Sequence, residues 1–411
     1  MSDYMTAAEA MDRLGVKQQT LYAYVSRQLI RRVASSGSNR SLYSRDDVEK
    51  LAARHARKAK GGAPAAASAW QTDASAGIST ALTQITAEGP MYRGRLFTSL
   101  AGHPGRIENV AELLWTGVLL DEPLAWEHDE IPANMEEALA ALQLPPGQVP
   151  FLRALATVSI VMGEPAGKEL RTGSTAGLAR KLVCAYAGCL GMLTQQSAFV
   201  RPRQGESIAH IVLRALGLTV SSAHLAAVNA VLIACADHDL SSPTYAARVV
   251  ASTGAGLHAC LLASIAGHSG QYFGGSCDRT EDLFLARPAQ AQAHAQILAG
   301  IRSGAKLPGF NHPMYPSGDP RARFLLDLAE KLAGREALAD IHETIAEARA
   351  GAGQQPALEL GLVAVARALG LPRRGASALW AVGRSVGWVA HVIEQRLAGQ
   401  IIRPQARYDG R

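Results

Sequence analysis

Apolar residues recur along most of this chain at intervals of three and four, and almost nowhere at intervals of two. The segments Glu108–Trp115, Ala154–Met162, Ala176–Met192, Ile208–Leu218 and Ala223–Cys235 each carry that spacing, and residues 245–266 and 360–370 continue it. Short Gly/Pro breaks separate them, and no repeat period shows. The pattern predicts an all-α bundle from Trp70 onward. The first 57 residues read differently. Thr6 with Glu9 three residues on is a capping box, predicting a helix over Ala7–Leu14 that Gly15 ends. A second helix follows from Val16 through Val25, with Leu21 and Val25 as its apolar stripe. Ile30–Val33 and Ser41–Tyr43 flank a Ser/Gly/Asn turn as a two-stranded wing, and Ser44 caps a third helix from Arg45 to about Arg57.

Composition supports a large core. Apolar residues are 48% and charged residues 18%, which argues against disorder. Aromatics are only 5% and Ala and Leu dominate, which argues against a big sheet. Cys184, Cys189, Cys235, Cys260 and Cys277 form no CxxC pair; they predict buried thiols in a reducing compartment, neither a disulfide framework nor a metal site. The N-terminus lacks a basic-then-apolar signal and no apolar run of membrane-spanning length stands out, so the expectation is a soluble, cytoplasmic protein with no membrane partner.

Charge divides the chain. Residues 1–60 carry 12 basic and 6 acidic side chains, and the remainder carries 29 of each, so all of the +6 net charge lies at the N-terminal end. That segment resembles a winged helix-turn-helix of the MerR/excisionase type. Such a module reads DNA with an outward polar helix face and neutralises phosphates with basic wing residues. Gln18, Gln19, Tyr22, Tyr24, Arg27 and Arg40 are the candidates here. A docking or dimerisation module is the equal alternative. Lys58 to Trp70 is a Gly/Pro/Ala hinge.

The richest chemistry lies in Pro308-Gly309-Phe310-Asn311-His312-Pro313-Met314-Tyr315, followed by Gly318-Asp319-Pro320-Arg321. A histidine in a Gly/Pro-framed loop and an arginine nine residues on are a neutral donor and a fixed cation that can both reach one small dicarboxylate. The segment resembles the signature of citrate synthases, which join acetyl-CoA to oxaloacetate. Other matches follow in order. Tyr92-Arg93-Gly94 matches "YRG", and Glu108 to Leu119 the "LLW-x-G-x-L" helix. Ala236-Asp237-His238-Asp239-Leu240 is similar to "ADHEL", and Tyr245 to Ala255 to "FAARV-ASTGA". Gly387-Trp388-Val389-Ala390-His391 and Ile402-Arg403-Pro404 match the end.

The resemblance implies an all-α two-domain fold closing over substrate: a large domain over 71–275 and 366–411 and a small one over 276–365, behind a helix-turn-helix over 1–57 and a linker over 58–70. It implies a homodimer, an oxaloacetate-like dicarboxylate held by His238, His312, Arg321, Arg384 and Arg403, and Arg403 reaching the neighbouring subunit's site. It implies that Pro308, Gly309, Phe310, Asn311, Met314 and Tyr315 wrap a coenzyme A thioester, with no permanently bound cofactor. Asn311 stands where the family has Gly, a position that demands positive φ, which Asn tolerates.

Two catalytic positions depart from the family. Counting without gaps, the aspartate base of "NVDF" falls on Glu359, one methylene longer, and the histidine of "GPLHGG" falls on Phe273. Phenylalanine cannot donate to a thioester oxygen, and loss of one such donor costs on the order of 10²–10³ in rate. Tyr272 is expected to point elsewhere and His268 to lie more than one helical turn away, so neither is expected to replace the donor. Three functions follow as expectations: an acyltransferase condensing an acyl-CoA with a 2-oxo acid, impaired or altered in acyl preference; a metabolite-sensing DNA-binding regulator; and a helper subunit of an intact synthase.

Overall fold

The computed structural model describes residues 4–16, 21, 30, 32–34, 41–45, 47–49, 52, 70–71, 78–102, 106–127, 131–142, 151–163, 169, 175–285, 299–300, 306–404 and 408–410. The chain forms two compact units, Met1–Ala69 and Trp70–Arg411.

In the first unit the N-terminal helix is Ala7–Leu14, as the capping box predicts. Glu9 N–H donates to Thr6 Oγ1 at 3.3 Å, and Thr6 N–H donates to Glu9 Oε2 at 2.7 Å. Gly15 closes the helix at φ 65°. The wing strands Arg32–Ala34 and Ser41–Ser44 pair antiparallel, with Val33 opposite Leu42. A third strand, Tyr4–Thr6, adds to Ser41–Ser44 on its other side and was not legible by alternation at three residues long. Met5, Ala10, Leu14, Leu21, Ile30, Tyr43, Val48 and Ala52 form a separate apolar core. Gln18, Gln19, Tyr22, Tyr24, Arg27 and Arg40 lie outside the described residues.

The second unit is all-α. Its helices run Phe97–Gly102, Ile107–Thr116, Met135–Ala140, Phe151–Val161, Thr175–Gly188, Ile208–Ala215, Ser222–Cys235, Ser242–Ser252, Leu257–His268, Gly274–Leu285, Pro320–Ala333, Ala339–Ala352, Leu358–Leu369 and Gly375–Ala398. The expected single run over 245–266 is two helices, because Gly254 turns the chain at φ 83°. A short antiparallel meander, Thr83–Thr86, Gly89–Tyr92 and Arg95–Leu96, is a minor addition to this all-α body. Strands of two to four residues are too short to show a period.

Contrary to the sequence expectation, the stretch Thr175–Leu193 is long and apolar enough to cross a membrane by composition. It is 78% buried within the protein and packs as a core helix.

The axis of the body is the helix Gly375–Ala398, whose residues are buried almost without interruption from Gly375 to Val392. A helix apolar on all sides is a central one. Leu379, Val382, Val386 and Val389 are each at most 1% exposed, and burying each stabilises by roughly 1.5–3 kcal/mol. The helices Ile107–Thr116, Ser222–Cys235, Ser242–Ser252, Leu257–His268 and Leu358–Leu369 pack around it.

Candidate functional site

One cavity of about 870 Å³ collects most of the side chains that the sequence singles out. His238, His312, Arg321, Arg384, Phe273 and Glu359 line it, together with Pro308, Gly309, Phe310, Asn311 and Met314. The volume suits a small-molecule site.

The floor is built from buried charge. Arg384, midway along Gly375–Ala398, donates from Nη1 to Asp237 Oδ1. Its Nη2 donates to Thr244 Oγ1 at 2.7 Å, Ser241 Oγ at 3.1 Å and the Asp239 carbonyl at 3.2 Å. Asp237 is fully buried. Burial opposes its charge, but Arg384 and His391 outweigh that and hold the carboxyl far below the usual carboxylate range. Thr83 Oγ1 donates to its Oδ2 at 2.5 Å, and His391 Nε2 lies 3.2 Å from the same oxygen. Arg248 Nη1, a donor only, faces His391 Nδ1 at 3.3 Å, which puts the imidazole proton on Nε2, toward Asp237. The meander thus serves the site: it carries Thr83, and Tyr92 Oη donates to the Ile233 carbonyl at 2.9 Å just before Asp237.

Gly387 makes this pairing possible. A Cβ there would stand 2.3 Å from the Ala236 carbonyl oxygen and 2.4 Å from Asp237 Oδ1. Asp239 follows at φ 55°, a left-handed turn that aspartate tolerates.

Arg321 opens the helix Pro320–Ala333 and is buried. Its Nε and Nη2 grip Asp319 at 3.1 and 2.7 Å, while Asp319 also caps the helix by accepting from Arg321 N–H. Burial opposes the Arg321 charge, and Asp319 more than offsets it, so the guanidinium stays ionised. Asp319 and Asp237 were visible within the quoted motifs but not assigned this work.

His238, His312 and Tyr315 form an aromatic cluster. His238 Nε2 lies 3.1 Å from Tyr315 Oη, and the two imidazoles meet edge to face at 5.0 Å. Burial, then Arg321, drives His312 down to about 4, and burial, then Arg321, drives His238 well below its ordinary value. Both are neutral at physiological pH. Met314 N–H donates to His312 Nδ1 at 3.2 Å, which leaves Nε2 as the donor. Asn311 adopts φ 60°, the positive φ expected there, and its Oδ1 accepts from Gln355 N–H at 3.0 Å.

Glu359 sits in the first turn of Leu358–Leu369. Burial raises its pKa, against a hydrogen bond from the Ser276 hydroxyl and the charge of Arg321. A carboxylate on a helix N-terminus with a raised pKa is a reasonable proton acceptor.

Phe273 packs partly against the core at the turn before Gly274–Leu285. His268 is not remote, as its sequence position suggested. The chain reverses after Leu257–His268, with Phe273 N–H donating to the Gly270 carbonyl at 3.1 Å. That turn brings the two rings to a centroid distance of 6.3 Å, and both line the cavity. Tyr272, 77% exposed, also lines it, as do Arg279 and Lys306. Trp380, four residues before Arg384 on one helix face, was missed, although the i, i+4 spacing could have found it. Arg403 is exposed and is not among the cavity-lining residues.

The sequence profile described as "Citrate synthase, C-terminal domain" matches residues 73–405, and the one described as "Helix-turn-helix domain" matches residues 4–56. The chain is 29% identical over 216 residues to "Citrate synthase 2" of Bacillus subtilis, covering 51% of this chain and 58% of that one. It is 28% identical over 206 residues to the "2-methylcitrate synthase" of Shewanella oneidensis, covering 49% of this chain and 55% of that one. The chain thus spans little more than half the length of these curated relatives. Among solved structures, the citrate synthase of Thermoplasma acidophilum, in ternary complex with carboxymethyl coenzyme A and oxaloacetate, aligns at TM-score 0.70 and 22% identity. That alignment covers 83% of this chain and 95% of that one.

Proposed function

The chain belongs to the citrate synthase family and carries a helix-turn-helix domain ahead of it, and on that premise we propose that its body condenses an acyl-CoA with oxaloacetate or a similar 2-oxo dicarboxylate. The observation that carries the reading is the convergence of His238, His312, Arg321, Arg384 and Glu359 on one cavity. Arg321 and Arg384 supply fixed cations toward the substrate carboxylates, and neutral His312 donates from Nε2 to the keto oxygen as it becomes an alkoxide. Glu359 takes a proton from the carbon next to the thioester. The resulting enolate attacks the keto carbon, and water then cleaves the thioester, releasing CoA and a hydroxy tricarboxylate. The loop 308–315 would hold the coenzyme.

In this proposal Arg403 completes the anion site of a second copy of the chain. The charge supports it. Arg321 and Arg384 are each paired with a buried aspartate, so the two cations alone do not balance a dianion. A third cation offsets part of that remaining charge.

A second reading rests on Phe273, an apolar ring at the expected donor position, together with the helix-turn-helix domain. In it the chain senses a dicarboxylate and binds DNA, or assists an intact synthase, without turning over. The deciding measurement is CoA release by the purified protein, run beside Phe273→His and Glu359→Asp. Turnover by the wild type that the histidine does not increase would remove the second reading and with it the idea of a damaged site. No release by the wild type, restored by Phe273→His, would support the second.

A further inference from the structure

Enolising a thioester moves negative charge onto its carbonyl oxygen, and in a dry cavity that oxygen needs a hydrogen-bond donor. Phe273 has none to give. The imidazole of His268 lies next to it, 1% exposed, and its Nε2 has no hydrogen-bond partner. A buried imidazole nitrogen left unpaired is costly unless a ligand pairs it.

We propose that His268 Nε2–H donates to the acyl carbonyl oxygen of the bound thioester, in the role that Phe273 cannot fill. This rests on the condensation reading above. Three features hold the ring for that task. Trp380 and Trp388 meet it edge to face, at centroid distances of 4.8 and 5.5 Å, which fixes its plane. Gly274 lies against it: a Cβ there would stand 3.0 Å from the His268 carbonyl oxygen and in ordinary contact with the ring, 3.5 Å from Cδ2 and 3.6 Å from Nε2. Burial, and then Arg384, drives its pKa down to about 3, so the ring is a neutral donor that does not titrate near pH 7. The same cavity holds Glu359, so base and donor face one acyl group.

Nε2 is covered in this structure. Phe273 is the partly exposed ring beside it, and the proposal therefore requires Phe273 to swing aside as the acyl group enters. An acyl chain that packs against the displaced phenyl ring is the substrate class this favours over acetyl.

The test is exchange of the α-protons of acetyl-CoA and of hexanoyl-CoA in D₂O, with oxaloacetate present, in the full chain. His268→Leu is expected to slow exchange by about 10²–10³-fold with little change in thioester affinity. His268→Gln, which keeps an N–H donor, is expected to recover part of the loss, and Phe273→Ala to raise the rate. Exchange by His268→Leu at the wild-type rate would overturn the assignment. So would equal losses in the Leu and Gln variants with matching drops in Tm, the signature of a packing role. A wild type that exchanges nothing would sink the condensation reading and this role of His268 together, whereas a wild type that exchanges beside a His268→Leu variant that exchanges equally fast would sink this assignment alone. The imidazole ¹⁵N resonances are then followed as carboxymethyl-CoA and oxaloacetate are added. A shift of Nε2 supports the contact, and an unmoved resonance ends it.

Discussion

Glu359 shows how one buried side chain couples stability to chemistry. Its pKa is raised because burial penalises the charged form more than Ser276 and Arg321 favour it. A raised carboxyl contributes stability that is present below its unfolded value and lost as pH rises through the folded one. At neutral pH the ionised group therefore costs the fold stability. Glu359→Gln keeps the shape and removes that charge. The variant should melt at a higher temperature than wild type near pH 7, with the gain vanishing below about pH 4. Its α-proton exchange should fall by at least about 10²-fold. In the wild type the exchange rate should rise with pH through a value above the ordinary carboxylate one. A limb at or below that ordinary value would show that a different group takes the proton. Neither His238 nor His312 contributes a limb near neutral pH, since burial lowers both, His238 well below its ordinary value and His312 to about 4.

At the scale of elements, the helix Gly375–Ala398 carries Arg384, Gly387 and His391 on consecutive turns, so its seating decides whether the anion site exists. Gly387→Ala pushes a methyl into the Ala236 carbonyl and the Asp237 carboxylate, neither of which has room to yield. Overpacking of that kind costs about 1–3 kcal/mol, and calorimetry should show a lower Tm together with lost oxaloacetate binding. Unchanged affinity would mean that the Asp237–Arg384 pair does not shape the site. Much of this was legible beforehand. The three- and four-residue spacing placed the helices, the "ADHEL"-like motif carried Asp237, and the resemblance named Arg384 three residues before the Gly387–His391 motif. The links were not legible. That Asp237 bonds Thr83, Arg384 and His391 at once depends on three segments far apart in sequence, and side-chain periodicity carries no trace of such pairings. The nearness of His268 to Phe273 was hidden for a related reason. A tight reversal at Gly270 shortens a distance that counting residues along a helix makes long.

At the scale of the whole molecule, charge and composition separate two tasks. The basic excess lies wholly within the first 60 residues, where the helix-turn-helix domain has its own apolar core. If that domain contacts DNA, affinity should fall steeply with salt, by about 0.9 log unit per log unit of salt for each phosphate neutralised. Arg27→Ala and Arg40→Ala should each lower that slope by about 1. An unchanged slope in both would reassign the domain to protein docking. The body makes a different demand on assembly. If Arg403 serves a second copy, no single chain holds a whole site, and two defective variants should repair each other. Arg403→Ala chains keep Glu359 but offer no arginine to a partner. Glu359→Gln chains offer the arginine but have no base. In a mixed dimer one site receives both intact groups and the other receives neither. Random pairing at equal amounts makes about half of the dimers mixed, each with one live site, so about a quarter of wild-type exchange should return on mixing two preparations that are each inactive. Subunits must first be allowed to exchange, which size exclusion of a tagged and an untagged preparation verifies. Verified exchange without recovered activity would place Arg403 in its own chain's site or outside the site altogether.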